Sequence, residues 1–431
     1  KNSMNILKTT FTITTQKLTI LRDIIKKKID VYRTRNRSRA LVKKNILNAD
    51  FVVLANAYPS QKKLYGGEFI RARVEAYVAS RMSGCVIEIN ARNTKIEIER
   101  GRRLIILRLP VVRPEVIAKA LSKGSSVILS HSPRPDLQDA LNTHIREKRI
   151  VYWFHGFELR DYRRLYSNFT TEELEKKRNV LDELNFQRWD AARRSFKNEN
   201  ATVVFVSKFL KEESFIDIGT MPKNYQIIHN YIDTKFFKTQ RRERRLTPAP
   251  RIMLLRPFHA RNYATDIATK AISILSTRSG FEKIHFTIRG FGRFFEADTS
   301  ILKGLKNVVI EDKYCTPTEM QQIFADHDIA LTPTRYDTQG VSFGEAMASG
   351  LACITHHVAA KPEFADDSCA VLVKSDHPKA YAEAIWELAH NPDKTRRLGD
   401  AAAKRVHEQC GWSRTIQKEI DLIKSISGRK L

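Results

Sequence analysis

The sequence predicts an α/β protein of two doubly wound domains that face each other across a cleft, preceded by a basic helical extension. Three observations carry this. Short, β-rich apolar runs alternate with helical patterns from residue 50 onward. A charged segment ending in two prolines divides that series into two. At 431 residues the chain also exceeds what one hydrophobic core ordinarily serves.

The elements follow in order. Leu18, Leu21, Ile25, Ile29 and Tyr32 recur at helical spacing with Arg22, Lys26, Lys27 and Lys28 around them, a basic amphipathic helix within an extension over residues 1–48. The runs DFVVLANA, CVIEIN, RLIILRLP, SVILSHSP, RIVYWFHG, TVVFVSK and YQIIHN have strand length and are almost unbroken. Such runs suit strands covered on both faces, hence a parallel sheet under helices, over residues 49–240. Between the fifth and sixth run, Thr170 and Glu173 form a capping box that opens a long polar helix. The stretch KTQRRERRLTPAP reads as the linker. A second series, RIMLLRPF, IHFTIRGFG, NVVIED, IALTPTRYD, ACITHHV and AVLVKS, builds a second Rossmann-like domain over 248–411. The last helix, residues 412–431, aligns Ile416, Ile420, Ile423 and Ile426 and is expected to cross back to the first domain.

Composition narrows the partners. A net charge of +27 requires an anionic partner or surface, and residues 1–44 hold thirteen Lys/Arg against only Asp23 and Asp30. Anionic lipid, nucleic acid and phosphorylated substrates all fit. Aromatic residues are not interleaved with the basic run and no helix-turn-helix or RNP pattern occurs, which argues against nucleic acid. The five cysteines lack ligand spacing, so a reducing compartment and no structural zinc are expected. No run approaches the ~20 apolar residues of a membrane-spanning helix, and no signal-peptide cleavage site is evident. Because the chain starts at Lys1 rather than Met, it reads as either a piece of a longer protein or a chain carrying added leading residues, and the sequence does not say which.

The stretch RYDTQGVSFGEAMASG concentrates the chemistry. Asp337 leaves a strand end and Glu345 lies in the first turn of a helix. The N–H groups of Gly340, Val341 and Ser342 point into the same space, which suits an anion or a hydroxyl-rich ligand. Taken alone, Ser342 and Glu345 also fit a capping box. His155 and His131 follow successive strand ends, while His356 and His357 have no ligand partners in sequence and are read as structural.

The longer stretch RYDTQGVSFGEAMASGLACITHHVAAKPEF resembles the paired-carboxylate segment of retaining nucleotide-sugar glycosyltransferases of family 4, which have the GT-B fold. Four further stretches are similar to family segments in the same order: NAYPSQKKLYGGEFIRARVEAYVAS, IIHNYIDTKFF, RPFHARNYATD and RGFGRFFEA. The resemblance covers residues 50–426. It implies that Glu345 binds the ribose and Asp337 the donor sugar, that Arg256 and Arg261 hold the diphosphate, and that His155 lies near the donor sugar. It further implies that Gly66, Gly67, Gly290, Gly292, Gly340, Val341 and Ser342 line the donor. The chain departs from the pattern with Asp337 for Glu, Arg261 for Lys, Gln339 for Phe, Ala359 and Ala360 for Gly, and Tyr231 for Gly.

The resulting expectation is sugar transfer with retention from a UDP or GDP sugar to a hydroxyl of a glycan or lipid-linked acceptor, without cofactor or metal. The enzyme would serve cell-surface polysaccharide synthesis in the cytoplasm, peripheral on the inner face of the membrane through residues 1–44. A nucleic-acid-binding protein and a nucleotide-sugar epimerase or phosphorylase are the alternatives. Base, sugar, acceptor, linkage and oligomeric state are not specified by sequence.

Overall fold

The computed structural model describes residues 36–38, 40–44, 49–60, 66–89, 96–110, 113–239 and 249–427. The amphipathic pattern over 18–32 and most of the linker lie outside them. The first lobe contains strands β1 (Phe51–Ala55), β2 (Gly84–Ile89), β3 (Glu97–Arg100), β4 (Leu104–Leu109), β5 (Val127–His131), β6 (Ile150–Phe154), β7 (Ala201–Phe205) and β8 (Tyr225–Ile227). The second contains β9 (Arg251–Leu255), β10 (His285–Gly290), β11 (Val308–Asp312), β12 (Ile329–Leu331), β13 (Ala352–His356) and β14 (Ala370–Val373).

The sheets run β3-β4-β2-β1-β5-β6-β7-β8 and β11-β10-β9-β12-β13-β14. Every pairing is parallel except β3 with β4. The fully buried β1, β5, β6 and β7 explain the unbroken apolar runs. Strand β3 was not legible in sequence: its four residues are exposed on a sheet edge, so no apolar face exists to mark it. The order in which successive strands are added reverses between β1 and β5 and between β9 and β12, although each pair is parallel. In open α/β sheets the crevice at such a reversal, beyond the carboxyl ends of the strands, receives ligand.

The last helix, Ile416–Ser427, buries Ile416, Ile420 and Ile423 in the core of the first lobe. Its Glu419, fully buried, pairs with Arg73 at 2.9 Å and accepts from the Tyr77 hydroxyl. Other bonds tie the lobes directly. The Gln339 side chain clamps the backbone of Asn230, accepting from its N–H at 2.6 Å and donating to its carbonyl at 3.0 Å. Glu363 accepts from the N–H groups of Lys208 and Phe209 at 2.8 and 3.0 Å, satisfying donors at the start of helix Lys208–Ile218.

Candidate active site

Two strand ends and one short helix build the charged centre. Arg256 follows β9 and is buried, its Nη2 donating to the Pro333 carbonyl at 2.7 Å and its Nη1 to Ser342 Oγ at 3.3 Å. Its Nε is buried without a hydrogen-bond partner. Asp337 lies beyond β12 and accepts from the ammonium of Lys361 at 3.0 Å. Burial alone would raise the Asp337 midpoint, but the charges of Lys361 and Arg256 outweigh it and hold the carboxyl below its ordinary range. Burial in turn lowers both Arg256 and Lys361, with the Asp337 charge opposing. These groups place two cations around one carboxylate, an arrangement that favours a further anion.

Helix Val341–Ala348 begins at Gly340, whose φ of 85° is left-handed, and no side chain caps it. The capping-box reading of Ser342 and Glu345 is therefore corrected: the glycine starts the helix two residues before Ser342 and leaves the Glu345 carboxylate out of capping. Glycine is required here because a Cβ would stand 2.1 Å from Lys361 Nζ and 2.6 Å from Asp337 Oδ2. Glu345 is half-buried, and burial together with the charge of Glu68 pushes its midpoint up to about 8. Glu68 belongs to the first lobe and opens helix Glu68–Ala79 directly after Gly66 and Gly67, so the glycine loop and Glu345 share the cleft. Gly67 has φ 83° and a Cβ there would meet the Ala57 carbonyl at 2.4 Å, which gives it a backbone reason of its own.

His155, past β6, also reaches the interface. Its carbonyl accepts from Thr338 Oγ1 at 2.6 Å, its ring lies 4.5 Å from that of Phe69, and its Nε2 is 3.1 Å from His131 Nδ1. Burial pulls both imidazoles well below the ordinary histidine range. The pair is thus neutral, one ring donating to the other. His356 Nδ1 lies 3.1 Å from the Thr334 carbonyl, at the same strand end as Asp337.

Asp337, Ser342 and Arg256 thus come together, with His155 joined to the neighbouring Thr338, but Arg261 is engaged elsewhere. Its Nη1 donates to both oxygens of Asp298, at 2.7 and 2.9 Å, and its guanidinium stacks 3.7 Å from the Phe294 ring. Gly290 and Gly292 lie against the loop that carries Arg256: a Cβ at Gly290 would be 2.1 Å from the Arg256 carbonyl, and one at Gly292 2.4 Å from His259 N. Their lack of side chain is demanded by that backbone. Two features were missed in sequence. Lys361 is 24 positions from Asp337 and only the fold unites them. Phe291 and Tyr314, past β10 and β11, form an exposed aromatic pair with ring centres 4.9 Å apart; isolated aromatics beside loops carry no periodic signal. Among the described residues no group of three or more His, Cys, Asp or Glu is arranged to hold a metal ion.

Residues 249–391 match the family described as Glycosyl transferases group 1. The chain is 28% identical over 111 residues to the MMP alpha-(1->4)-mannosyltransferase of Mycolicibacterium hassiacum, covering 25% of this chain and 27% of that protein. It is 28% identical over 123 residues to the D-inositol 3-phosphate glycosyltransferase of Streptomyces coelicolor, covering 28% and 26%. The matches therefore span under a third of these relatives' lengths. In three dimensions it superposes on a sucrose-phosphate synthase from Thermosynechococcus elongatus with TM-score 0.68 and 14% identity over 88% of this chain and 99% of that one. The Anabaena Alr3699/HepE structure in complex with UDP and glucose gives 0.61 and 12% over 88% and 100%. At such identities the likeness concerns the fold.

Proposed function

Proceeding from a chain of the GT-B fold whose second lobe carries a group 1 glycosyl transferase domain, we propose that it is a retaining glycosyltransferase of family 4 that moves a sugar from a UDP or GDP sugar to an acceptor hydroxyl. The observation that supports this best is the cluster of buried Arg256 and Lys361 with partly exposed Asp337 at the crevice beyond the carboxyl ends of β9 and β12.

In this reading the bond from the anomeric carbon to the diphosphate oxygen breaks and negative charge grows on the leaving phosphate. Arg256 and the N–H groups at the start of helix Val341–Ala348 stabilise that charge more in the transition state than in the ground state. Arg261, held by Asp298, is the lesser of the two cations in this reading. Cations thus do the work a divalent metal would otherwise do. Asp337 binds donor-sugar hydroxyls with His155 beside them, Glu345 binds the ribose, and Phe291 with Tyr314, their rings tilted by 44°, offers an exposed aromatic seat for the base. The acceptor oxygen bonds to the anomeric carbon on the face the diphosphate leaves, and its proton passes to the departing phosphate oxygen. No protein nucleophile takes part.

The acceptor is a glycan or lipid-linked glycan, in the building of cell-surface polysaccharide, and residues 1–44 hold the enzyme peripherally on the anionic inner face of the membrane. Among the described residues no helix is long and apolar enough to cross a bilayer.

Slow hydrolysis of the donor tests the reaction without knowledge of the acceptor. Incubated with UDP-glucose or GDP-mannose, the protein is expected to release nucleoside diphosphate and a sugar whose first-formed anomer, read by proton NMR, is that of the donor. Release of the opposite anomer would contradict retention.

A further inference from the structure

Lys361 carries a charge to a place with no exposure at all. Its ammonium donates to Asp337 Oδ2 at 3.0 Å and to the Gln339 carbonyl at 3.3 Å, and stands 4.5 Å from the centre of the Phe343 ring. As filler this residue would be a poor choice, because burying an ammonium is costly where a Met of similar volume is not. The frame around it is rigid. Gln339 is held by its two bonds to Asn230 across the interface, and Gly340 leaves open the space through which the ammonium reaches the carboxylate. On Asp337 the ammonium occupies Oδ2, while Oδ1 receives the Gln339 N–H at a long 3.3 Å. The Asp337 side chain keeps 23% of its surface exposed, whereas Lys361 has none.

Resting on the donor-site reading above, we propose that Lys361 is the positioning residue for Asp337: by holding Oδ2 it fixes the short carboxylate and leaves Oδ1 for a hydroxyl of the donor sugar. The groups that face Asp337 are Lys361 from helix Lys361–Phe364, Arg256 from the end of β9, Tyr263 from the turn after it, and the N–H of Gln339. Of these, Lys361 alone donates to Asp337 from a charged side chain, so its removal raises the midpoint of Asp337 while Arg256 stays in place. Lys361 does not reach the diphosphate itself.

The test uses the full chain with carboxyl-13C aspartate, the Asp337 resonance being assigned by its loss in Asp337→Asn. In Lys361→Met its titration midpoint is expected to rise by about one pH unit or more, and the loss of UDP or GDP affinity by calorimetry to be smaller than that of Arg256→Ala. Lys361→Gln, which keeps an N–H donor without the charge, is expected to give the same rise and serves should the methionine variant fail to fold. An unchanged midpoint in the folded variant overturns the proposal. So does a loss of nucleotide binding as large as that of Arg256→Ala, which would make Lys361 a phosphate ligand. Should wild type bind neither nucleotide, the donor-site reading fails, while the NMR titration still decides whether Lys361 controls Asp337.

Discussion

Arg256 and Arg261 sit five positions apart but in different company. Arg256 has a buried Nε without a partner, whereas Arg261 is already neutralised by Asp298. We expect Arg256→Ala to weaken binding of UDP or GDP by about 10–100-fold, since a charge-assisted contact in a buried site contributes about 1.5–3 kcal/mol, and Arg261→Ala to weaken it far less. Equal losses by calorimetry would show that Arg261 abandons Asp298 for the phosphate. Glu345 gives a pH prediction. Its folded midpoint of about 8 lies above the ordinary carboxylate value, so the neutral form dominates at pH 7 in the free protein. Ionisation adds acceptors for two ribose hydroxyls. Affinity for a nucleoside diphosphate is therefore expected to rise between about pH 7 and 9, and Glu345→Gln to abolish the rise. For stability the sign is reversed: because the folded midpoint is the higher one, the contribution of Glu345 is best at acid pH and falls as pH climbs toward that midpoint. The strand end and the glycine turn located the two acids in the sequence, whereas their roles and the choice of Arg256 came from the family resemblance. Lys361 was not legible, because a contact over 24 residues leaves no local mark.

The element that matters most is helix Val341–Ala348, and its start at Gly340 decides what its side chains can do. A capping box would have consumed Glu345 on backbone donors; the left-handed glycine leaves it to the cleft. Gly340→Ala must adopt φ 85° and displace the Lys361 ammonium or the Asp337 carboxylate. It is expected to cost about 1–3 kcal/mol in urea unfolding, and to weaken donor binding as well. A variant of unchanged stability would show that the loop relaxes freely. The buried strands were readable from their apolar runs, and the Thr170 capping box, which forms with Glu173, from its spacing. Edge strand β3 and the aromatic pair Phe291 and Tyr314 were not, since solvent-facing elements obey no burial pattern.

At the scale of the molecule, the final helix belongs to the first lobe although it follows the second. Glu419 and Arg73 are both fully buried there. Removing one partner strands the other charge, so Glu419→Gln is expected to lower stability by about 3 kcal/mol, measured by denaturant unfolding; a loss under about 1 kcal/mol would mean that Asn230 and the Phe69 carbonyl suffice for Arg73. The sequence foretold this helix through its apolar spacing, but the ion pair spans 346 positions and only the fold reveals it. The uneven positive charge bears on location. Deleting residues 1–44 is expected to abolish sedimentation with vesicles containing phosphatidylglycerol, and unchanged sedimentation would refute a membrane role for that segment. The central claim, that the cleft binds a nucleotide-sugar donor through Arg256, Asp337 and Glu345, is tested most directly by thermal unfolding with UDP, GDP, ADP and their sugar conjugates, beside Glu345→Ala. A ligand at a hundred times its dissociation constant stabilises by about 2.7 kcal/mol, so one nucleotide should raise the melting temperature of wild type and leave the variant unmoved. If no nucleotide does so, or if the variant responds as wild type does, the donor site is not where we have put it.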